Sequence, residues 1–399
     1  MEVGKMNNTN NLWLTVIAGG NGTRLFLFSN KDRPKQFCKM NENYTFIQAT
    51  VERFLQFGID PKHIVIIVAN ESQQEHAIRQ LSERFNILSS NILNIGPDHG
   101  YAGAKIYATK VIEGKDPNAK IIMTPADQYV ENNQDFKNAI LRGLAIAETN
   151  PVVIGKRIND AKAAMELGNI IYDDEEDKAE ANGFSIETFV EKPDIDWITT
   201  TMEEKSSACN TGISIWKPDQ IIKDNDIGIG TDKLINELLI NPRLVVGKFP
   251  WEDCGTFEAL YNLNSHETRA NVVTMSDQEN IVCNGCSNTL VISSNSIELN
   301  VNGIVRAAVI ATMIDDEYYL EIASFDATKD VAMAAQIFEE NLPTFKKGLV
   351  LGGENNNFIN PYGARFHVCF IGVSRCIVTA ELRKKGTPHF SITCAAQAN

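Results

Sequence analysis

Gly19-Gly20-Asn21-Gly22-Thr23-Arg24-Leu25, followed by Arg33-Pro34-Lys35-Gln36-Phe37, is the stretch whose reading decides the fold. Directly before it, Leu12, Leu14, Val16 and Ile17 read as a short buried strand. The glycines therefore fall where a strand ends and the chain must turn. Glycine reaches positive φ without penalty and carries no side chain, so such a loop can bring backbone N–H groups against an anion. Arg24 and Lys35 add the charges that a triphosphate needs. A P-loop would close on Gly-Lys-Ser/Thr, whereas Thr23 and Arg24 follow Gly22; a dinucleotide fingerprint would need a third glycine opening a helix. Neither matches, and the reading is phosphate chemistry on a loop of another kind.

Working outward, short apolar runs alternate with amphipathic segments from residue 12 to about 265, as in βαβ units. Ile64 to Val68 has strand length, and Ser72 with Glu75 reads as a capping box for a helix carrying Ala77, Ile78, Leu81 and Phe85. Thr45 precedes a helix with Ile47, Val51, Phe54 and Leu55 on one face. Ile121 to Met123 is a further strand, and Phe136, Ile140, Leu144 and Ala147 mark the helix after it. The pattern predicts an α/β fold, a doubly wound, mostly parallel sheet with ligands at the carboxyl ends of its strands. Gly19 to Arg24 and Asp127 follow predicted strands and should share one rim. From about 271 the texture changes to short β-like runs, predicting a smaller β-rich C-terminal module closed by a helix over 327–341. Gly352 to Asn357 reads as a linker, and the final stretch carries β-like runs at Phe366 to Ile371 and Cys376 to Val378 without an interpretable motif. The predicted division is 1–268, 269–345 and 346–399.

The 399 residues carry a net charge of −14. That argues against nucleic acid and anionic membrane surfaces as partners. No apolar run reaches membrane-spanning length and no secretory leader is evident, so a cytoplasmic location is expected. The eight cysteines have no framework spacing. Cys283-Asn284-Gly285-Cys286 lacks the second pair or histidines a zinc site would want, and reduced structural thiols are expected.

The glycine stretch with Pro34-Lys35 resembles the signature of the sugar-1-phosphate nucleotidyltransferases, in which Gly-Gly-x-Gly-Thr-Arg-Leu precedes Pro-Lys; Pro34-Lys35-Gln36-Phe37 is most similar to the bacterial mannose-1-phosphate guanylyltransferases. Phe26-Leu27 stands where that family has Trp-Pro. The resemblance implies a Rossmann-like, glycosyltransferase-A-like fold. Pro125-Ala126-Asp127-Gln128 resembles the family's Pro-Ala-Asp-His, which makes Asp127 a metal ligand and puts Gln128 in place of the histidine. Trp251 to Thr256 looks like the second acidic element, making Asp253 the other ligand. Val190-Glu191-Lys192-Pro193 is similar to Val-Glu-Lys-Pro, which implies that Glu191 binds sugar hydroxyls and Lys192 the sugar phosphate. Asn210-Thr211-Gly212-Ile213 resembles a sugar-contacting Asn-Ser/Ala-Gly-Ile strand, and Gly168 matches a sugar-pocket glycine whose neighbouring aromatics are missing here.

Gly100-Tyr101-Ala102-Gly103-Ala104 occupies the place of the guanylyltransferases' Asn-Thr-Ala-Pro-Ala but looks closer to the Gly-Leu-Ala-Gln-Ala of thymidylyl- and uridylyltransferases, which puts Gly100 and Ala102 at the nucleotide. The resemblance thus implies a Mg²⁺-dependent enzyme joining an NTP, GTP by preference, to a hexose 1-phosphate, mannose 1-phosphate by preference, with release of pyrophosphate. Arg24 and Lys35 would bind the triphosphate and stabilise the transition state, with Gly19, Gly20, Gly22 and Thr23 cradling it; Asp127 and Lys192 complete the catalytic set. The rival readings are thymidylyl, uridylyl or cytidylyl transfer to another sugar 1-phosphate, and a catalytically weak nucleotide-sugar-binding paralogue that regulates a partner. A phosphate-binding oxidoreductase is disfavoured because no acidic residue follows the glycines at a suitable strand end. A homodimer is compatible with the sequence, which does not set oligomeric state.

Overall fold

The first expected strand, β1 (Leu12–Ile17), is present and buried. The computed structural model describes residues 11–20, 22–30, 33–41, 43–157, 161–165, 167–172, 174, 182–221, 238–268, 272–274, 281–293, 297–314, 316–340, 349–352, 355–360, 365–383 and 387–394. The chain divides into two compact units, Met1–Gly19 with Phe46–Glu252, and Gly20–Thr45 with Asp253–Asn399.

In the first unit β1 is joined by β2 (Ile64–Val68), β3 (Ile92–Asn94), β4 (Lys120–Pro125), the short β5 (Tyr129–Val130), β6 (Val152–Lys156), β7 (Gly168–Tyr172), β8 (Phe184–Glu191), β9 (Ser206–Trp216), β10 (Arg243–Gly247) and the short β11 (Trp251–Glu252). The main sheet runs β3-β2-β1-β4-β9-β6-β10-β8-β7, with β7 also pairing β9, while β5 and β11 form a separate ribbon. The expected α/β class is found, and its parallel character is concentrated in β3-β2-β1-β4 and in β6-β10. The remaining pairings are antiparallel, so the sheet is mixed. The difference is physical: β2 is apolar throughout and buried on both faces, as parallel strands are, whereas β8 alternates and is only partly covered.

Helices α1 (Phe46–Leu55), α2 (Glu71–Phe85), α3 (Gly100–Lys115) and α4 (Gln134–Ile146) supply the crossovers. Ala104, Ala108 and Ile112 of α3 share a core with Trp13, Val65, Ile121, Met123 and Val153. A Cβ on Gly143 of α4 would lie 2.7 Å from Ile215 Cδ1 and 3.4 Å from Ile154 Cδ1. Because successive strand residues point to opposite faces, α3 and α4 cover different sides. The cap of α2 is Asn70, whose Oδ1 accepts from Gln73 N at 2.9 Å, so the expected Ser72–Glu75 box falls inside the first turn instead.

The second unit is built from strands β12 (Val272–Thr274), β13 (Ile281–Asn284), β14 (Ser287–Ser293), β15 (Glu298–Asn302), β16 (Val305–Ile314), β17 (Glu317–Ser324), β18 (Leu349–Leu351), β19 (Asn357–Ile359), β20 (Phe366–Ile371), β21 (Cys376–Leu382) and β22 (Pro388–Cys394). They form sheets ordered β12-β14-β16-β17-β20-β18 and β13-β15-β22-β21-β19. From β12 to β16, and again from β18 to β21, the chain alternates between the sheets, so neighbours within a sheet are parallel. The two coils interlock through the parallel pairs β17–β20 and β15–β22. Where the sequence reading separates 269–345 from 346–399, strands of both segments therefore share each sheet and one core, including Val291, Leu299, Phe366 and Phe390. The expected closing helix is Thr328–Glu340, and Gly353 and Glu354 of the expected linker lie outside the described residues.

Residues 20–45 pack within this second unit. Leu25 to Phe28 are buried, and the Phe26 ring meets Phe338 at 5.2 Å. Leu27 has φ +59, so the family's proline, fixed near about −65°, would not suit this backbone. Contrary to the expectation of reduced thiols throughout, Cys376 and Cys394 form a disulfide, being directly opposite across β21–β22 with Cα atoms 4.0 Å apart. Their separation of 18 positions hid that pairing from the sequence.

On β17, Glu321 is fully buried, between Ile310 and Cys369 in register, and neither carboxyl oxygen has a hydrogen-bond partner. Burial holds its carboxyl well above the usual range. An unfolded glutamate loses its proton at lower pH than this folded one, so Glu321 makes folding progressively less favourable as pH rises from the ordinary carboxylate value towards the raised one. Glu321→Leu should raise stability by about 1–3 kcal/mol near neutral pH, with a smaller gain in acid, read from denaturant unfolding across pH. A gain independent of pH would show that Glu321 does not titrate in this way.

Candidate active site

The carboxyl ends of β1 and β4 adjoin: Ile17 pairs with Pro125, and Ala126 N donates to Ile17 O at 2.9 Å. Asp127 thus follows directly on a strand beside the one that leads into Gly19. Gln73 ties the loops after β1 and β2 together, its Oε1 accepting from Ala69 N at 2.8 Å and its Nε2 donating to Gly19 O at 3.4 Å. Sequence reading missed Gln73, although its place in the first turn of a helix after a strand is a usable signal. Tyr101, between the expected nucleotide residues Gly100 and Ala102 at the start of α3, donates its hydroxyl to Gly212 O on β9 at 2.7 Å. Burial first, and then the charge of Asp127, push the Tyr101 phenol up, which keeps it a neutral donor beside that carboxylate.

Along β9, Asn210 lies opposite Gly155 and accepts from Gly212 N at 2.9 Å. Lys156, also missed, follows Gly155 and donates to Trp251 O at 3.1 Å. Asn169 of β7 pairs with Cys209, and Gly168 pairs with Glu191 at the end of β8. An added Cβ on Gly168 would lie 2.6 Å from both Glu191 Oε2 and Phe189 Cζ, so those two side chains would have to shift to admit it. Lys192 has φ +44 and its N–H bonded to Leu167 O at 3.1 Å. The first unit therefore places Asp127 just after β4, Asn210 within the neighbouring β9, Gly168 at the start of β7, which also pairs β9, and Glu191 and Lys192 at and just after the end of β8. Gln128, where the family has histidine, accepts the Trp251 indole N–H at 3.0 Å across the β5–β11 ribbon.

The second unit gathers Arg24, Lys35 and Asp253. Gly22 has φ +68, and a side chain there would meet Lys35 Cβ at 2.9 Å. Its carbonyl accepts from Leu25 N at 3.2 Å and from the Ser29 hydroxyl, while Gln36 Nε2 holds Gly20 O at 3.0 Å. Thr23 lies in the 3₁₀ turn Thr23–Leu25. Lys35, 3% exposed, has its Nζ 3.9 Å from one Asp253 oxygen, and Arg24 Nη2 lies 3.6 Å from the other. The Arg24 guanidinium rests against Gly255, where a Cβ would stand 2.7 Å from Nη2 and 2.9 Å from Cζ. Thr256 then starts the helix Phe257–Thr268, its Oγ1 accepting from Ala259 N at 3.1 Å. The requirement at Gly255 was present in the motif but had no legible partner.

Among the described residues no group of three or more His, Cys, Asp or Glu side chains makes a metal cage. Single accessible carboxylates suit Mg²⁺, which binds through one or two carboxylates and completes its shell with water and phosphate oxygens. Also among the described residues, no helix is long and apolar enough to cross a membrane.

A nucleotidyl transferase family model matches residues 15–270. The chain is similar to a mannose-1-phosphate guanylyltransferase of Escherichia coli, 24% identical over 74% of this chain and 70% of that protein. It is also similar to one of Sinorhizobium fredii, 23% identical over 74% of this chain and 62% of that protein. A solved structure from Thermus thermophilus, described as a mannose-1-phosphate geranyltransferase, shares the fold with a TM-score of 0.67 at 21% identity, covering 82% of this chain and 99% of its own. The chain belongs to the nucleotidyl transferase family.

Gly255→Ala should displace the Arg24 guanidinium and lower nucleotidyl transfer by ~10-fold or more, because a displacement of about 1 Å in a positioning group is costly to turnover. Pyrophosphate release and thermal unfolding, measured together, separate this from loss of fold. Unchanged turnover would mean that Arg24 does not need its seat on Gly255.

Proposed function

We propose that this nucleotidyl transferase moves a guanylyl group from GTP to mannose 1-phosphate, giving GDP-mannose and pyrophosphate. The observation that carries the reading is the similarity to a mannose-1-phosphate guanylyltransferase over 338 residues, within which the family motifs keep their order. In this reading a phosphate oxygen of the sugar attacks the α-phosphorus in line, and pyrophosphate leaves from the opposite side. Both reactants are anions, so the work of the chain is to position them and offset charge.

Arg24 and Lys35 are proposed to bind the triphosphate oxygens and to stabilise the charge that develops on transfer. The backbone at Gly19, Gly20, Gly22 and Thr23 would approach the phosphates closely, and Gly100 and Ala102 would border the nucleoside. Glu191 would accept hydroxyl hydrogen bonds from the sugar while Lys192 meets its phosphate, with Asn210 and Gly168 shaping the same pocket. Asp127 and Asp253 are the proposed carboxylate ligands of Mg²⁺. When bound, that ion would neutralise phosphate charge during transfer.

A second reading, uridylyl or thymidylyl transfer, is favoured by Gly100-Tyr101-Ala102-Gly103-Ala104, which departs from the guanylyl pattern. Pyrophosphate release over a matrix of four NTPs and several sugar 1-phosphates tests both, and turnover with UTP or TTP alone would overturn the guanylyl assignment. Asp127→Ala should cut turnover by a factor of hundreds while sugar-nucleotide binding persists. Absence of turnover in the parent protein with every pair, with binding retained, would instead favour a regulatory binding role.

A further inference from the structure

Tyr101 has no role in the reaction above, yet it joins two segments that the proposed reaction uses. It stands at the start of α3, directly after Gly100, whose φ of +56 turns the chain into the helix. Its ring packs against the core of the first unit, and its hydroxyl reaches across to β9, donating to Gly212 O at 2.7 Å. The loops that Gly100 to Ala104 resembles carry leucine or threonine at this place. Leucine has no donor, and a threonine hydroxyl on Cβ falls far short of a phenol oxygen, so the tie belongs to this chain.

The backbone it reaches is irregular. Asn210 and Ser214 of β9 pair with Gly155 and Val153 of β6, so Thr211, Gly212 and Ile213 stand against Ile154 alone. A bulge of this kind breaks the ladder and re-aims the side chains beside it. On the other flank the β4–β9 ladder ends at Met123–Ser214, and Gly212, at φ +73, lies so near β4 that a Cβ there would be 2.7 Å from Pro125 Cγ. Side chains of the bulge take up its polar groups. Asn210 Oδ1 accepts from Gly212 N at 2.9 Å, while the Thr211 hydroxyl donates to Ile154 O at 2.7 Å and accepts from Ile213 N at 3.3 Å. The Gly212 carbonyl goes instead to Tyr101, 111 positions away in the chain.

We propose that Tyr101 is a positioning residue that couples the nucleotide and sugar subsites, so that a substrate held in one pre-orders the other. This rests on the reading above, in which Gly100 and Ala102 border the nucleoside and Asn210 lies at the sugar. The phenol ties the start of α3 to the bulge, and Asn210 is bound into that bulge by its own bond to Gly212 N. Ordering either segment therefore reduces the conformational freedom that the other has left to lose. The coupling is reciprocal: the nucleotide tightens the sugar 1-phosphate by the factor by which the sugar 1-phosphate tightens the nucleotide.

The test measures binding of mannose 1-phosphate to the full chain by calorimetry, with and without saturating α,β-methylene GTP and Mg²⁺, the methylene bridge preventing pyrophosphate from leaving. In the parent the analogue should tighten mannose 1-phosphate by ~5-fold or more. Tyr101→Phe keeps the ring and removes the donor, and should bring that ratio to about 1 while each ligand alone binds much as it does to the parent. Tyr101→Leu should lose the ratio too, and Tyr107→Phe, at an exposed position of the same helix, should keep it. In turnover, Tyr101→Phe should raise the KM for sugar 1-phosphate at saturating nucleotide by the lost factor, with kcat changed less. A ratio of one in the parent, or the parent ratio kept in Tyr101→Phe, overturns the coupling and leaves the guanylyl assignment standing. Weaker binding of each ligand alone with the ratio unchanged marks a merely structural tie and overturns it equally. Should only UTP or TTP analogues bind, that assignment falls, and the ratio measured with that pair decides Tyr101 by the same criterion.

Discussion

Placing the Lys35 ammonium out of water is the constraint around which this part of the second unit is organised. An ion in the interior without compensation costs several kcal/mol, and the Asp253 carboxylate stands 3.9 Å away to offset it. The same carboxylate meets Arg24, so one acidic residue answers two cations. Two glycines make room for this arrangement, Gly22 beside the stem of Lys35 and Gly255 beneath the guanidinium. Any anion that reaches Arg24 and Lys35 competes with Asp253 for them. Arg24, Lys35 and Asp253 are therefore one electrostatic assembly, with Gly22 and Gly255 leaving space for its cationic side chains.

Much of the first unit was legible because its signals are local. A strand followed at once by glycine, or by Pro-Ala-Asp, places the residues after it at strand ends whatever the rest of the sheet does, and Ile17 and Pro125 are indeed paired. The antiparallel half was less legible. Strands β7, β8 and β9 are joined by register between residues tens of positions apart, which periodicity cannot reveal. Gln73, Tyr101 and Lys156 escaped notice for the same reason: their significance lies in a carbonyl on a distant segment.

The β-rich unit defeated sequence reading in a more basic way. Alternating strands in 281–314 and again in 349–382 look like successive short β runs with no motif. What makes them one body is the interleaving of β22 beside β15 and β20 beside β17, which closes a shared core. Residues 20–45 carry buried Leu25 to Phe28, whose apolar character was plain, but nothing local says that their partner is Phe338.

That last contact sets an order of events during synthesis. The segment carrying Phe26 leaves the ribosome some three hundred residues before its packing partner Phe338 is made. Loop closure over such a span is slow, and a nascent chain meanwhile exposes Leu25 to Phe28 to solvent and to neighbours. Folding yield in the cell should accordingly depend on how long ribosome-bound chains are shielded, for instance by a holdase chaperone, even though the finished protein hides those side chains completely.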